Sequence, residues 1–447
     1  MPGSPPGLII AAPASGSGKT TLTLALLRRL RNEGRAVASV KVGPDYIDPG
    51  FHAAASGRPC LNLDGWAMRP ATLAAALAQA AEGAELILGE GVMGLFDGAP
   101  ETDARGLAAG STAQLAALSG WPVVLVVDCQ GMGASVAALA RGFAGFHAEV
   151  ALAGVILNKV ASPRHDSLLR AACADAGVTV FGALRRDPAL ARPSRHLGLV
   201  QAAEDAELES FLEAAAAAAA AQVDVAALRA AARPARLPGG GAAAPLPPLG
   251  QRIAVAADVA FAFAYPLVLE GWRRAGAEIT TFSPLADQAP DAAATAVYLP
   301  GGYPELQAGR LAAATRFLDA LRAAAARGAV VYGECGGYMV LGQGLEDAAG
   351  ERHAMAGLLP LESSFKAPAR HLGYRRAELL APGPFGPAGA AFRGHEFHYA
   401  QVLGSEGPAA SALFSAASAG GDHLGPVGQR QGSVFGSFLH LIDRESV

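Results

Sequence analysis

The chain has 447 residues, too many for one ordinary domain, so two or three domains with sizeable cores are expected. Its 35 Lys and Arg stand against 39 Asp and Glu for a net charge of −4, and the charges are scattered rather than blocked, which argues against a nucleic-acid or anionic-membrane partner. The apolar fraction is 51%, much of it alanine, and the longest uncharged run, 106–127, carries Ser111, Thr112, Gln114, Ser119 and Trp121-Pro122; it reads as helix, turn and buried strand, not as a membrane span. No basic segment precedes the first apolar run. Cys60, Cys129, Cys173 and Cys335 lie far apart without a Cys-x-x-Cys pair, so reduced thiols and a cytoplasmic setting are predicted.

The most informative stretch comes first. Leu8 to Ala12 reads as a buried strand, and Ala14-Ser15-Gly16-Ser17-Gly18-Lys19-Thr20-Thr21 leads into an amphipathic helix from Leu22 to Leu30. Strand, small-residue loop and Gly-Lys-Thr are the pattern of a phosphate loop: the glycines let successive N–H groups face phosphate oxygens, and the helix N-terminus holds the same anion. Lys19 is then expected on the β/γ phosphates and Thr20 on Mg²⁺, with Ser15, Gly16, Ser17, Gly18 and Thr21 lining the nucleotide. Pro13 stands where the pattern has its first glycine, so the first bend is made differently.

Down to about residue 235, short apolar runs alternate with helical ones. Strands are expected over 36–41, 86–89, 123–128 and 152–157 and helices over 70–82 and 135–143, which predicts a doubly wound, mostly parallel α/β sheet with ligands at the carboxyl ends of its strands. After the second strand, Lys41-Val42-Gly43-Pro44-Asp45-Tyr46-Ile47-Asp48-Pro49 offers two carboxylates three apart, able to complete a Mg²⁺ shell or hold a substrate, and a lysine for phosphoryl charge. After the third, Glu90 and Asp97 sit among Gly89, Gly91, Gly94 and Gly98, with Glu90 placed for metal; the bland alternative is a solvated turn. Asp128 ends its strand as a Walker-type acid or a helix cap. Asn158 is a candidate base reader, and Ala161 stands where a guanine-reading Asp would follow, so adenine is favoured. An alanine-rich stretch, 207–232, reads as one helix closing the domain, and the Pro- and Gly-rich stretch 236–250 as a linker between domains 1–235 and 251–447.

A second α/β pattern follows, with strands expected over 253–257, 278–282 and 296–299 and a helix over 267–275. An apolar strand then runs into Gly333-Glu334-Cys335-Gly336-Gly337-Tyr338, a nucleophile elbow with Cys in the nucleophile's place. The following helix is expected to lower the thiol pKa, with His440 as the base; the alternative is a structural cysteine in a Gly-rich turn. In Arg393-Gly394-His395-Glu396-Phe397-His398 the histidines are three apart, not the four of a zinc helix, so a structural or substrate-contacting strand is expected rather than a metal site. His353 and His371 fall in loop-like stretches with no visible partner.

Taken in order, the phosphate loop, Gly43 to Pro49, Glu90 to Gly98, Leu299-Pro300-Gly301-Gly302-Tyr303-Pro304-Glu305, Gly333 to Tyr338 and Gly394 to Tyr399 resemble the glutamine-dependent corrinoid amidases of vitamin B12 biosynthesis over nearly the whole chain. The resemblance implies a P-loop NTPase domain similar to dethiobiotin synthetase and a C-terminal class I glutamine amidotransferase domain. It implies ATP with Mg²⁺, L-glutamine and a corrinoid tetrapyrrole as ligands, and amidation of the a- and c-acetate carboxylates of a (hydrogeno)cobyrinic acid through acyl phosphates, with a sheltered path for ammonia. Carried over, Cys335 attacks glutamine, His440 moves protons, and the N–H groups of Gly302 and Gly336 hold the oxyanion. Thr20, Asp45 and Glu90 form the metal shell, Lys19 and Lys41 hold phosphates, and Asp45, Tyr46, Asp48 and Asp97 contact substrate. Where many class I enzymes have Glu two residues after the His this chain has Ile442, so a Cys-His dyad is expected, with Asp443 a poor substitute. Pro13 fits the family. A cobyric acid synthase is disfavoured by the 43–49 stretch, a nickel-sirohydrochlorin a,c-diamide synthase shares the motifs, and a ParA-like ATPase switch leaves Cys335 without a purpose. A homodimer is left open.

Overall fold

The computed structural model describes residues 4–190, 200–237, 244–404 and 412–445. They fall into two compact units, Met1–Trp66 with Leu73–Gly241 and Ala67–Thr72 with Ala242–Val447. The assignment of 67–72 to the second unit has no signature in the sequence pattern.

In the first unit strands and helices alternate: β1 (Pro6–Ala11), α1 (Lys19–Asn32), β2 (Val37–Val42), α2 (Asp48–Ser56), β3 (Leu61–Leu63), α3 (Pro70–Ala81), β4 (Leu86–Glu90), α4 (Thr112–Ser119), β5 (Val123–Asp128), α5 (Ser135–Gly145), β6 (Leu152–Val160), α6 (Pro163–Asp175), β7 (Val180–Arg185), α7 (Leu208–Gln222), α8 (Val225–Ala231) and β8 (Arg233–Pro234). The sheet order is β3-β2-β4-β1-β5-β6-β7, all parallel, with the short β8 antiparallel on β1. β1, β2 and β4 are buried almost along their whole length, as strands covered by helices on both faces must be, which is why they read as unbroken apolar runs. Every candidate residue of this half sits at a carboxyl end: the phosphate loop after β1, Lys41 and Asp45 at β2, Glu90 on β4, Asp128 on β5 and Asn158 on β6.

The expected single helix over 207–232 is two. Val223 leaves the helical path to bridge Gly182 beside β7, and the Asp224 side chain accepts the Ala227 N–H at 2.9 Å to start α8. Alanine propensity could not reveal that break, because a strand edge and a capping residue set it.

The second unit continues with β9 (Arg252–Ala256), α9 (Pro266–Arg274), β10 (Glu278–Phe282), β11 (Ala296–Leu299), α10 (Ala308–Ala313), α11 (Thr315–Ala326), β12 (Val330–Glu334) and α12 (Gly336–Leu341). Then come β13 (Gly344–Glu346), β14 (Arg352–Ala354), β15 (Glu362–Ser364), β16 (His371–Leu379), β17 (Ala391–His398), β18 (Gln401–Gly404), β19 (Phe414–Ser418), β20 (His423–Val427), β21 (Gln429–Gln431), β22 (Val434–Ser437) and β23 (Leu439–Arg444). One sheet runs β10-β9-β11-β12-β22-β21, parallel apart from β21; a second, β20-β19-β16-β17-β23, is antiparallel; a four-stranded one runs β14-β13-β15-β18. Phe261, Phe317, Leu321, Val331 and Tyr338 belong to the core that supports β12 and the elbow after it. His353 and His371 are therefore strand residues, on β14 and β16, not loop residues.

Part of the expected linker 236–250, residues 238–243, lies outside the described residues. The described remainder is fastened to its own unit: the Arg236 N–H bonds the Ser119 carbonyl at 2.7 Å, and Leu246 and Leu249 are buried. Among the described residues no helix is long and apolar enough to cross a membrane.

Candidate functional site

The phosphate loop turns through left-handed glycines, Gly16 at φ 81° and Gly18 at φ 98°, a conformation that costs other residues energy. Ser15 and Gly16 form the exposed rim, while Ser17 tucks its hydroxyl onto the Ala14 carbonyl at 2.9 Å. Lys19 and Thr20 open α1, followed by Thr21. Lys19 Nζ donates to the Met93 carbonyl at 2.6 Å, so the loop after β4 closes over the lysine. Burial and Lys41 pull the Lys19 pKa down, against Glu90, Asp48 and Asp97.

Glu90 is the hub of this half. It is fully buried, and its Oε1 accepts from Thr20 Oγ1 at 2.6 Å and Lys41 Nζ at 2.8 Å. Its Oε2 lies 2.6 Å from His52 Nε2. Burial alone would raise this carboxyl's pKa, yet Lys41 and His52 outweigh it and keep Glu90 ionised. Lys41 donates its second bond to Asp48 Oδ2 at 2.6 Å, and Asp48, Glu90 and Asp45 together overcome burial and raise its pKa. His52, lifted to about 10, loses to burial and gains more from the Cys60 sulfur and Glu90.

Asp45 ties its loop together: Oδ1 accepts the Ile47 and Asp48 N–H groups at 2.8 and 3.1 Å, and Asn62 Nδ2 holds the Asp45 carbonyl at 2.6 Å. Burial and the nearby Asp48 push the Asp45 pKa up. Tyr46 is buried beside it. Asp97 is exposed and accepts the Gly94 N–H at 2.8 Å, bracing the loop that carries Met93.

Thr20, Lys41, Asp48 and Glu90 are thus in direct contact, with Lys19, Asp45 and Asp97 within electrostatic reach. Asn158 serves the loop's backbone: Nδ2 donates to the Ser17 carbonyl at 2.8 Å and lies where a Cβ on Gly18 would fall. Asp128 is held by Lys159 Nζ at 2.6 Å and by the Gln130 N–H at 2.9 Å.

In the second unit Cys335 stands between β12 and α12 at φ 48°, ψ −106°, the strained turn of a nucleophile elbow. The turn is feasible because Gly337 lies on the Leu299 backbone and Gly436 on the Tyr338 ring, where no side chain fits. The N–H groups of Gly336 and Gly302 both point at the Cys335 sulfur, and Gly302 N is 2.9 Å from the place of a Cβ on Gly336. Two adjacent donors beside the nucleophile have the geometry of an oxyanion hole.

His440, on β23, is fully buried. A Cβ on Gly301 would collide with its ring and lie 3.0 Å from Nε2 and 3.3 Å from Cys335 Cβ, so His440 and Cys335 converge on one stretch of glycine backbone. The expected lowering of the thiol pKa is not observed. Burial, with Glu305 and Glu334, raises the Cys335 pKa by more than the Gly336 and Gly302 N–H groups lower it, and the sulfur rests on the Phe397 carbonyl at 3.6 Å. His440 is likewise pushed down to about 3 by burial and by His395 and His398.

Asp443 does not face His440: Arg69 grips both of its oxygens, with contacts of 2.8 and 3.1 Å. His395, Glu396 and His398 lie on β17, next to β23, with His395 opposite His440. Arg375 pairs with Glu396 at 2.7 Å, and the His371 and His398 rings stack. His371, Glu396 and His398 offer ligand atoms within 4.8 Å of one another. His353, which had no visible partner in the sequence, has Asp347 at 3.0 Å.

Sequence reasoning missed His52 and Glu334. A signal existed for each: His52 lies one helical turn after Asp48, and Glu334 is a charge inside an apolar strand directly before the nucleophile.

Comparison with known proteins finds two family models in the chain. Residues 8–200 match the CobQ/CobB/MinD/ParA nucleotide binding domain, and residues 252–446 the CobB/CobQ-like glutamine amidotransferase domain. A Brucella suis biovar 1 protein described as hydrogenobyrinate a,c-diamide synthase is 57% identical over 98% of this chain and 98% of its own. One from Rhodobacter capsulatus is 56% identical over 99% and 100%, and one from Rhizobium meliloti 55% over 98% and 99%, both with the same description.

Proposed function

This chain belongs to the family of hydrogenobyrinate a,c-diamide synthases, and from that premise we propose that it uses ATP and glutamine to amidate the a- and c-acetate carboxylates of a (hydrogeno)cobyrinic acid. The observation that carries the reading is the elbow of Cys335 with the Gly302 and Gly336 N–H groups at its sulfur, a site built for attack on an amide carbonyl.

In the glutaminase half, Cys335 gives its proton to His440 Nε2 and attacks the glutamine side-chain carbonyl. The Gly302 and Gly336 N–H groups receive the oxyanion. His440 returns the proton to the leaving nitrogen, releasing ammonia, and water then cleaves the thioester to give glutamate.

In the synthetase half, a carboxylate is too poor an electrophile for ammonia, so its oxygen first takes the terminal phosphoryl group of ATP with release of ADP, and ammonia then attacks the acyl phosphate and expels inorganic phosphate to leave the amide. Lys19 and Lys41 neutralise charge on the transferred phosphoryl group, and the loop of Asp45, Tyr46 and Asp48, with Asp97, positions the substrate. Thr20 and Glu90, with Asp45 nearby, make an all-oxygen donor set that fits Mg²⁺, which binds one or two carboxylates together with phosphates and water. When bound, that ion would draw charge from the phosphate oxygens.

The test is amide formation on hydrogenobyrinic acid and on cobyrinic acid, read by mass, with glutamine or free ammonia as the nitrogen source. Two added amides from glutamine, lost by a factor of roughly 10⁴ or more in Cys335→Ala and restored by ammonia, are expected. If neither ring gains an amide from either source, the reading fails and a nickel-tetrapyrrole substrate or a nucleotide switch takes its place.

A further inference from the structure

The dyad expected from Ile442 lacks the carboxylate that usually orients the histidine, yet a carboxylate is present from another direction. Glu334, the residue before the nucleophile, is 3% exposed, and its Oε2 lies 3.9 Å from His440 Nδ1. The other edge of the ring, Cε1 and Nε2, faces Gly301 and the cysteine. The elbow explains the arrangement: β12 ends at Glu334 and the chain turns sharply at Cys335, so two consecutive residues supply both the nucleophile and an acid behind the base.

Glu334 is itself fixed. Tyr298 Oη donates to Oε2 at 2.7 Å, and Tyr332 Oη and the Leu441 N–H donate to Oε1 at 3.1 and 3.2 Å. The Leu441 bond joins the carboxylate to the strand that carries His440. Such a cradle, with two phenols and a backbone donor around one buried acid, needs a reason, because a buried carboxylate without function is costly.

We infer that Glu334 completes the glutaminase site as a positioning residue: it holds His440 with Nε2 toward Cys335 and stabilises the imidazolium formed when His440 takes the thiol proton. The inference rests on the glutaminase reading above. Burial raises Glu334 to about 7 against its donors Tyr298, Leu441 N–H and Tyr332. The other groups facing this pair are His395, Glu396 and His398 on β17, and Cys335 with Glu305 beyond it. The Glu334 charge is therefore present above about pH 7 and lost below it, which gives glutamine hydrolysis an acid limb near that pH.

The experiment is steady-state glutamine hydrolysis across pH by the full-length protein with ATP and tetrapyrrole present, for wild type, Glu334→Gln and Glu334→Asp. A fall of about a hundredfold in kcat with KM for glutamine within about twofold, loss of the acid limb in Glu334→Gln, and partial rescue in Glu334→Asp are expected. Because removing a buried charge can unfold the unit, Tyr298→Phe serves as a second variant. It keeps the ring but removes a donor to the carboxylate, and should move the acid limb to higher pH. Wild-type kcat and an unchanged acid limb in Glu334→Gln, or no movement of the limb in a folded Tyr298→Phe, overturn the inference alone. A wild type that releases no ammonia from glutamine overturns it together with the reading it rests on.

Discussion

The two units handle charge in opposite ways. In the first, Lys41, His52 and Glu90 are buried and kept charged by their neighbours, with Lys41 2.6 Å from Asp48 and 2.8 Å from Glu90, and His52 2.6 Å from Glu90. In the second, burial keeps His440 neutral and the Cys335 thiol protonated, with the Gly302 and Gly336 N–H groups already at the sulfur. The difference follows the chemistry each would perform. A phosphoryl donor arrives with its charge and needs a preformed counter-field, whereas glutamine is neutral in its reacting amide and charge appears only once the thiol is deprotonated. One site stores ions and the other creates them.

Neutralising the hub of the first site is the hardest test of that contrast. Glu90→Gln removes the anion between Lys41 and His52 and should lower amide formation about a hundredfold with glutamine and with ammonia alike. It should also lower the unfolding temperature, because His52 loses its carboxylate partner and Lys41 keeps only Asp48. If ammonia-driven amidation kept its rate, Glu90 would not belong to the phosphoryl-transfer chemistry and the contrast would collapse.

Acid should separate the units. His395 and His440, held at about 4 and about 3 by burial, are neutral in the fold, whereas an unfolded histidine takes a proton near 6.5. A histidine with a lowered folded pKa contributes stability above the unfolded value and loses it as pH falls, so protection of β17 and β23 should decline from about pH 6.5 toward 4. Hydrogen exchange with intrinsic rates corrected would read this, with at least a tenfold loss of protection expected in β17 and β23 and a smaller one in β1 and β4. Equal loss in both units would show that the buried histidines do not set the acid sensitivity.

A smaller effect sharpens the reading of the phosphate loop. Asn158→Ala removes one neutral hydrogen bond to the Ser17 carbonyl and should raise KM for ATP by up to about tenfold while leaving glutamine hydrolysis unchanged. A change from adenine to guanine preference would instead place Asn158 at the base.

The local parts of both sites were legible. The phosphate loop, the strand-end Glu90 and the cysteine elbow are written in consecutive residues, because Gly, Lys and Cys at fixed spacing carry the backbone geometry with them. The parallel strands were legible too, as unbroken apolar runs. What stayed hidden depends on distant pairing. The contact of His52 with Glu90 joins residues 38 positions apart, and the β16–β17–β23 ladder pairs segments spread from His371 to Arg444, a pairing that no local pattern states. The raised thiol pKa was misread for a related reason: a helix N-terminus is visible in sequence, whereas the burial that overrides it is a property of the packed unit.

β12 takes β22 as a parallel neighbour, and the Glu334–Leu441 bond joins residues 107 positions apart. During synthesis the ribosome therefore delivers Cys335 long before the strand that carries His440. A nascent or prematurely terminated chain holding Cys335 but lacking β22 and β23 would have neither the sheet neighbour that sets the elbow nor His440, and on the proposed mechanism would leave the cell's glutamine pool untouched.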